Sequence, residues 1–383
     1  MKRSEDALIR QARKIASQEI RSCITRQGIL AGAHHFVDFW ARDSLFAVFG
    51  ANRIGLGEAS RNTINTFLSY KLWDGRIPFL IRRSRLTPGK YFGHNSYHET
   101  PVPQFRSSQS GGFVPDGGLM TIIAARDYLE RCGKKTLARE WYPYLKSAIS
   151  WYIGTFGNGL IREWFQCEWA DAVMKRGSTL YTNILYWKAL QDMAWISGAA
   201  RNAKDASTYR SYRDTIAGLV RKELWNGTYF ADWKSLFRHD YFASHPNMLA
   251  IAFGFSTKEE SRSILMYARK VCVDGWAVET NYPRYPFWRI PLVNYVTGTH
   301  DYHNRGCLWL QPALTYILAL YRFGDKKQAK ERLASLAQKI VLDGGIYEVY
   351  EKNGSPVRRL LYRAEYPFAW SSGLFLWVAD TVY

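Results

Sequence analysis

Two short stretches of the chain set a carboxylate among large aromatic side chains: Glu168-Trp169-Ala170-Asp171 and Tyr347-Glu348-Val349-Tyr350-Glu351. That combination is usual at sites that cleave a glycosidic bond. One carboxyl group protonates the bridging oxygen, a second activates water, and aromatic rings offer flat apolar faces to a sugar. Burial beside Trp169 would raise a carboxyl pKa and keep the group protonated near neutrality, as a general acid requires. Lys175 or Arg176 would oppose that shift if close. The competing reading is a loop carboxylate that caps a helix or forms an ion pair. In the second stretch Ile346, Glu348 and Tyr350 alternate with Tyr347, Val349 and Glu351, the pattern of a short strand that ends in a turn at Asn353-Gly354. Glu348 and Glu351 then face opposite sides. Glu348 has more aromatic neighbours and is the one expected to point into a pocket, the alternative being a solvent-facing strand glutamate.

Two further segments carry groups suited to gripping a polyhydroxylated ligand. In Phe36-Val37-Asp38-Phe39-Trp40-Ala41-Arg42-Asp43-Ser44 the carboxylate of Asp43 can accept two hydroxyls and the fork of Arg42 can donate several hydrogen bonds. The same residues also read as a helix cap at Asp43, for a helix beginning at Ser44, with Arg42 in a surface ion pair. In Tyr302-His303-Asn304-Arg305-Gly306-Cys307-Leu308-Trp309, Arg305 can orient a carboxylate or a hydroxyl and Gly306 permits close backbone approach. His303 reads as a hydrogen-bonding or packed histidine. The chain has no H-E-x-x-H, no G-x-S-x-G and no cluster of histidine ligands, so neither a metal nor a nucleophilic triad is expected. No phosphate-binding or dinucleotide fingerprint is present either, and no cofactor is expected. Gly111-Gly112 and Gly117-Gly118 are loop glycines, with Asp116 between them as a pocket residue.

Helical periodicity must position these groups. Ile184, Trp187, Leu190 and Ala194 form one apolar stripe, Leu310, Leu314, Ile317 and Tyr321 a second, and Ala329, Leu333, Leu336 and Ile340 a third. The last two flank the turn Phe323-Gly324-Asp325 as an αα-hairpin. The same reading predicts helices near 5–22, 41–52, 57–71, 117–131, 136–153, 178–198, 206–224, 244–253, 256–271, 304–322, 325–340 and 366–381. The connections at 72–116, 154–177, 272–303 and 341–365 are long and rich in aromatic residues, which marks them as functional and not disordered. A chain of 383 residues suggests two domains by default. Yet no Pro/Gly/Ser-rich linker divides it. Six hairpins in a ring would gather the loops of one end around a pocket, so the expectation is an all-α, single (α/α)6 barrel over residues 1–383 with short strands in its loops.

Composition limits the alternatives. A net charge of +19 suits anionic partners, but the basic residues are dispersed, and Arg82-Arg83-Ser84-Arg85 and Arg358-Arg359 belong to no nucleic-acid module. Nucleic-acid binding is not expected. No apolar run is long enough to span a membrane, and residues 1–26 lack the apolar core of a secretory signal. The five cysteines are odd in number and have no C-x-x-C spacing, which argues against disulfides or zinc and for a cytoplasmic protein. The oligomeric state is not legible.

In order along the chain, these segments resemble the six-hairpin (α/α)6 glycosidases. That group includes the glucosidase domain of glycogen-debranching enzymes, the neutral and alkaline invertases, and the processing α-glucosidase/glycosylglycerate hydrolase family. Phe36 to Asp43 resembles F-x-x-x-W-x-R-D, and Gly75-Arg76-Ile77-Pro78 a loop of the debranching group. Asp116-Gly117-Gly118-Leu119 resembles D-x-x-L-W with Met120 in the aromatic position, and Asn247-Met248-Leu249-Ala250 resembles N-x-L-A. Tyr302-His303-Asn304 is similar to the invertase Y-H-N, whereas Arg305 to Trp309 is similar to the R-G-x-x-W of the processing glucosidases. Trp169-Ala170-Asp171 resembles W-M-D, Tyr347-Glu348-Val349-Tyr350 resembles E-x-Y, and Phe368-Ala369-Trp370-Ser371 the closing F-x-W-S. The resemblance implies an inverting, exo-acting hydrolase of an oligosaccharide or disaccharide, with Asp171 as general acid and Glu348 as general base. Trp40, Arg42, Asp43, Asp116, Trp169, His303, Arg305, Trp309 and Trp370 would bind the sugar. An α-glucosidic bond is the first expectation. Sucrose, a glycosylglycerate, or a catalytically silent carbohydrate-binding barrel are the alternatives.

Overall fold

Thirteen helices form among the described residues: α1 (Lys2–Ser22), α2 (Ala41–Arg53), α3 (Gly57–Ser69), α4 (Asp116–Arg131), α5 (Thr136–Phe156), α6 (Leu180–Ala199), α7 (Ala203–Leu224), α8 (Ser244–Ala252), α9 (Lys258–Val271), α10 (Leu292–Val296), α11 (Leu310–Phe323), α12 (Lys326–Asp343) and α13 (Ala369–Val382). The computed structural model describes residues 2–383 except 86, 88, 91–93 and 134–135, and no side chains at 2–4. Part of the 72–116 connection therefore lies outside the described residues.

Helices α2, α4, α6, α8, α11 and α13 pack in cyclic succession, α13 closing back onto α2. These inner helices are apolar around most of their circumference. Every residue of α2 from Ala41 to Ala51 and of α11 from Leu310 to Leu320 is buried. An outer helix needs only one apolar stripe. On α7 it is Ala206, Tyr209, Ile216, Val220 and Leu224, and on α12 it is Ala329, Leu333, Leu336, Ala337 and Ile340. Five hairpins pair an inner helix with the outer helix that follows it: α2/α3, α4/α5, α6/α7, α8/α9 and α11/α12. The sixth joins the two ends of the ring, α13 packing on α1. The six-hairpin ring expected from the periodicity is the observed architecture.

Close approach at one crossing depends on glycine. Gly50 of α2 and Gly373 of α13 meet so tightly that a Cβ on Gly50 would overlap the Gly373 carbonyl, and one on Gly373 would overlap the Ala47 backbone. At the α11–α12 turn Gly324 takes φ +107°, and Asp325 caps α12 by accepting from the Gln328 N–H at 3.2 Å.

All twelve expected helices form. The one predicted over 304–322 begins only at Leu310, because Cys307–Trp309 are taken up in an antiparallel pair with Val349–Glu351. The short α10, which has no long apolar period, was not anticipated. The long loops carry short strands, the longest being 97–104 against 80–84, itself paired with 39–40.

Candidate active site

The N-terminal ends of inner helices open on a cavity of about 380 Å³. Trp40 immediately precedes α2, Trp309 precedes α11, and Trp370 lies in the first turn of α13. Helix N-termini present unpaired N–H groups and the positive end of the dipole, a favourable setting for carboxylates. The cavity is lined by Trp40, Arg42, Asp43, Trp169, Asp171, His303, Trp309, Glu348 and Trp370, all expected from sequence, together with Phe36, Gln109, Asn294, Thr299, Tyr302 and Tyr362.

Arg42 organises one wall. Its Nη1 donates to Asp116 Oδ2 at 2.8 Å and its Nη2 to Asp171 Oδ2 at 3.3 Å. Asp116 is buried beneath Arg42 and is not among the lining residues, so it acts through the guanidinium and does not touch the cavity. Because α2 begins at Ala41, Asp43 stands in its first turn and is not its cap, and Arg42, 8% exposed, is no surface ion pair. Burial pushes Asp43 up to about 7; Arg42 opposes the shift, and the charges of Asp116 and Asp171 reinforce it. Asp171 keeps 45% of its side chain open within the recess, yet its depth raises its pKa. Arg42 acts against that rise and Asp116 with it.

The lysine that could have neutralised Asp171 is diverted. Lys175 Nζ donates to Glu168 Oε1 at 2.8 Å and to Asp232 Oδ1 at 3.0 Å in a buried cluster, and Arg176 lies over the Trp164 ring at 3.8 Å. Of the two acids in the first aromatic stretch, Glu168 is thus structural and Asp171 faces the cavity.

Glu348 also lines the cavity, from the residue before strand 349–351. The register that pairs Val349 with Trp309 sets it beside the 302–309 segment. Its Oε2 accepts from the Tyr362 hydroxyl at 2.6 Å and from the Glu365 N–H at 3.0 Å. Burial raises its pKa well above the ordinary carboxylate value. The Glu365 N–H counters this, and the charges of Glu365, Asp43 and Asp171 add to it. Glu351 points the other way and pairs with Arg359 at 2.7 Å, as the alternation predicted.

His303 stacks on Trp309 with centroids 4.8 Å apart, and its Nδ1 stands 4.0 Å from Asp171 Oδ1, beyond hydrogen-bond reach. Burial holds it neutral, with help from the charges of Lys175 and Arg42. Both His303 ring nitrogens, the indole N–H groups of Trp40, Trp169 and Trp370, and the Tyr302 hydroxyl are buried without a hydrogen-bond partner in the protein. Buried polar atoms are normally satisfied. A ligand rich in hydroxyls entering this cavity would satisfy them.

Arg305 departs from expectation. It adopts φ +62°, its guanidinium pairs with Glu279 and lies over the Tyr282 ring at 4.8 Å, and it does not line the cavity. A Cβ at Gly306 would overlap the Asp301 side chain, so the close approach foreseen there is to the protein itself.

Glu365 belongs to none of the sequence motifs, although it too is a carboxylate set among aromatics, between Tyr362 and Tyr366. It accepts the N–H groups of His34, His35 and Phe36 and pairs with His35 Nδ1 at 2.6 Å. A His34–His35–Glu365 grouping of metal-ligand type therefore does form, contrary to the sequence reading. With Glu365 accepting three backbone donors, its evident role is to clamp the 34–36 loop behind Glu348. No helix among the described residues is long and apolar enough to cross a membrane, and all five cysteines are free.

Residues 94–280 match the family model of the bacterial alpha-L-rhamnosidase six-hairpin glycosidase domain. No curated protein matches the sequence. Among solved structures, a glycosidase superposes with a TM-score of 0.70 at 15% identity, covering 100% of this chain and 98% of that one. The GH63 mannosylglycerate hydrolase from Thermus thermophilus, in complex with Tris and D-glycerate, superposes at 0.69 and 13% identity, over 96% and 99%. A GH78 family rhamnosidase of a Bacillus species superposes at 0.65 and 19% identity, over 97% of this chain and 34% of that one. At these identities the structural likeness establishes a shared fold.

Proposed function

We propose that this six-hairpin glycoside hydrolase is exo-acting and inverting, with Asp171 as general acid and Glu348 as general base, and that it cleaves an α-glucosidic bond. The observation that carries the reading is that Asp171 and Glu348, distant in sequence, line one recess. Asp171, with its raised pKa and half-open side chain, suits protonation of the leaving oxygen as the C–O bond breaks. Glu348 is oriented by two donors to one oxygen; burial favours its protonated form, so it removes a proton from water, as that water attacks the anomeric carbon from the opposite face, only above its raised pKa. The released sugar then carries the opposite anomeric configuration. Room for the water requires the two carboxyl groups to stand roughly 6.5–9.5 Å apart. Trp40, Asp43, Arg42, His303, Trp309 and Trp370 would hold the terminal sugar through their open polar atoms and ring faces. The α-glucosidic assignment draws on the motif resemblance to the debranching glucosidases.

One feature favours a second reading. A recess of about 60 Å³ shares Trp40, Arg42, Gln109 and Asp171 with the main cavity and adds Arg82, Gln104 and Gln166. A leaving group protonated by Asp171 would have this recess beside it, and there Arg82 suits an anionic aglycone such as glycerate.

Sugar release from isomaltose, maltodextrin, sucrose, glucosylglycerate and an α-L-rhamnoside distinguishes the substrates, and NMR of the first-formed anomer reports the stereochemistry. Asp171→Asn and Glu348→Gln should each lower kcat by about a thousandfold or more, with unchanged melting. Hydrolysis at wild-type rate in either variant removes that residue from the mechanism, and a retained anomer removes inversion.

A further inference from the structure

A second cavity, of about 650 Å³, is larger than the catalytic one and backs onto the same loops. The segment that carries Asp171 into the catalytic recess carries Trp164 and Arg176 into this groove. The 106–113 segment likewise presents Gln109 on one side and Gly111-Gly112 on the other. Both walls are braced, by a bridge between Arg106 and Phe113 and another between Glu163 and Gly177. The end of α5 contributes Trp151 and Phe156.

The electrostatics are one-sided. Arg106, Arg162 and Arg176 line the groove, all exposed, and none has a carboxylate ion-pair partner among the described residues. Arg106 is steadied by donating to the Gly111 carbonyl at 2.9 Å, and Arg176 by its place over the Trp164 ring, 3.8 Å from the centroid. The one acid in the lining, Glu163, is buried, bonded to the Thr179 hydroxyl, and pushed up to about 8 by burial and by the charge of Glu168. It therefore offers little negative charge below that pH. Three unpaired guanidiniums beside aromatic rings form a cleft in the size range of small-ligand sites. Its charge favours an anion, and its ring faces suit a flat apolar surface.

We propose that this groove binds an acidic oligosaccharide, one whose sugar units bear carboxylate or sulfate groups, as a site separate from the catalytic cavity. The guanidinium forks would take the acidic groups while Trp164, Trp151 and Phe156 meet the sugar faces. The inference rests on the chain being carbohydrate-active but not on the roles of Asp171 and Glu348, so the two readings fail independently.

Calorimetric titration with trigalacturonate, a sulfated trisaccharide and hexathymidylate tests it, using the wild type, Arg162→Ala/Arg176→Ala and Glu348→Gln. One or both acidic sugars should bind more tightly than hexathymidylate. The double arginine variant should weaken that binding at least tenfold, and Glu348→Gln should leave it within twofold. Hydrolysis of whichever glycoside of the substrate panel the wild type cleaves, and the melting temperature, should not change in the double variant. The proposal is overturned if neither acidic sugar binds at millimolar concentration or if the double variant binds like wild type. It is also overturned if Glu348→Gln alone weakens binding, which puts the ligand in the catalytic cavity, or if hexathymidylate binds more tightly, which makes the groove a nucleic-acid site.

Discussion

Replacing Tyr362 with phenylalanine isolates the environment of Glu348. The phenol donates to Glu348 Oε2 at 2.6 Å, while the Glu365 N–H holds the same oxygen at 3.0 Å. The Tyr362 ring packs edge-on against Tyr302, centroids 4.9 Å apart, and against His35 at 6.2 Å, so a phenylalanine should keep its place. A hydrogen bond to a charged group is worth about 1.5–3 kcal/mol, and one pKa unit corresponds to about 1.4 kcal/mol. Losing this donor should therefore raise the Glu348 pKa by about 1–2 units. The sign follows from the charge. The phenol stabilises the carboxylate, its removal favours the protonated acid, and a general base is idle when protonated. The acid limb of the kcat/KM profile, already displaced above the ordinary carboxylate range by burial, should move further up by that amount. The basic limb, assigned to Asp171, should stay in place. Steady-state rates at half-unit pH steps read both limbs. A profile scaled down uniformly, with its acid limb unmoved, would refute Glu348 as the titrating base.

Two predictions concern the closure of the ring. Glu19 joins α1 to α13 and to the loop before Glu348: its carboxylate accepts from the Ile346 N–H at 2.8 Å and from the Ser372 hydroxyl at 2.6 Å, and burial pushes its pKa up to about 7 from 4.5. The folded state thus prefers the protonated form. That stabilisation is complete below pH 4.5 and is lost as the pH rises through about 7. Glu19→Gln should remove about 3 kcal/mol of pH-dependent loss between pH 4 and pH 8 relative to wild type, read by urea unfolding at both pH values; identical pH dependence in the two proteins would count against it. Gly373→Ala drives a methyl into the Ala47 backbone and should cost about 1–3 kcal/mol, seen as a lower Tm, whereas an unchanged Tm would mean that the α2–α13 crossing relaxes freely.

The features legible in the sequence are those that neighbouring residues encode among themselves. Apolar spacing along Ile184 to Ala194 or Ala329 to Ile340 records which face of a helix is buried, because packing repeats with the helical period. Acids set among tryptophan and tyrosine likewise marked the two stretches, and within them the motif resemblance singled out Asp171 and Glu348 as candidates. Tertiary structure decided which charges meet. Sequence could not say that Lys175 would turn to Glu168 and Asp232, that Arg42 would bridge Asp116 and Asp171, or that Arg305 would leave the cavity for Glu279. Nor could it say that Glu365 would clamp the His34–Phe36 loop across 331 positions. The longest of these pairings, between Glu365 and the 34–36 loop, joins the two ends of the ring, and the others depend on how the loops fold over the N-terminal ends of the inner helices. A side chain's charge and reach are local properties; its partner is set by which distant segment the backbone carries within a few ångströms.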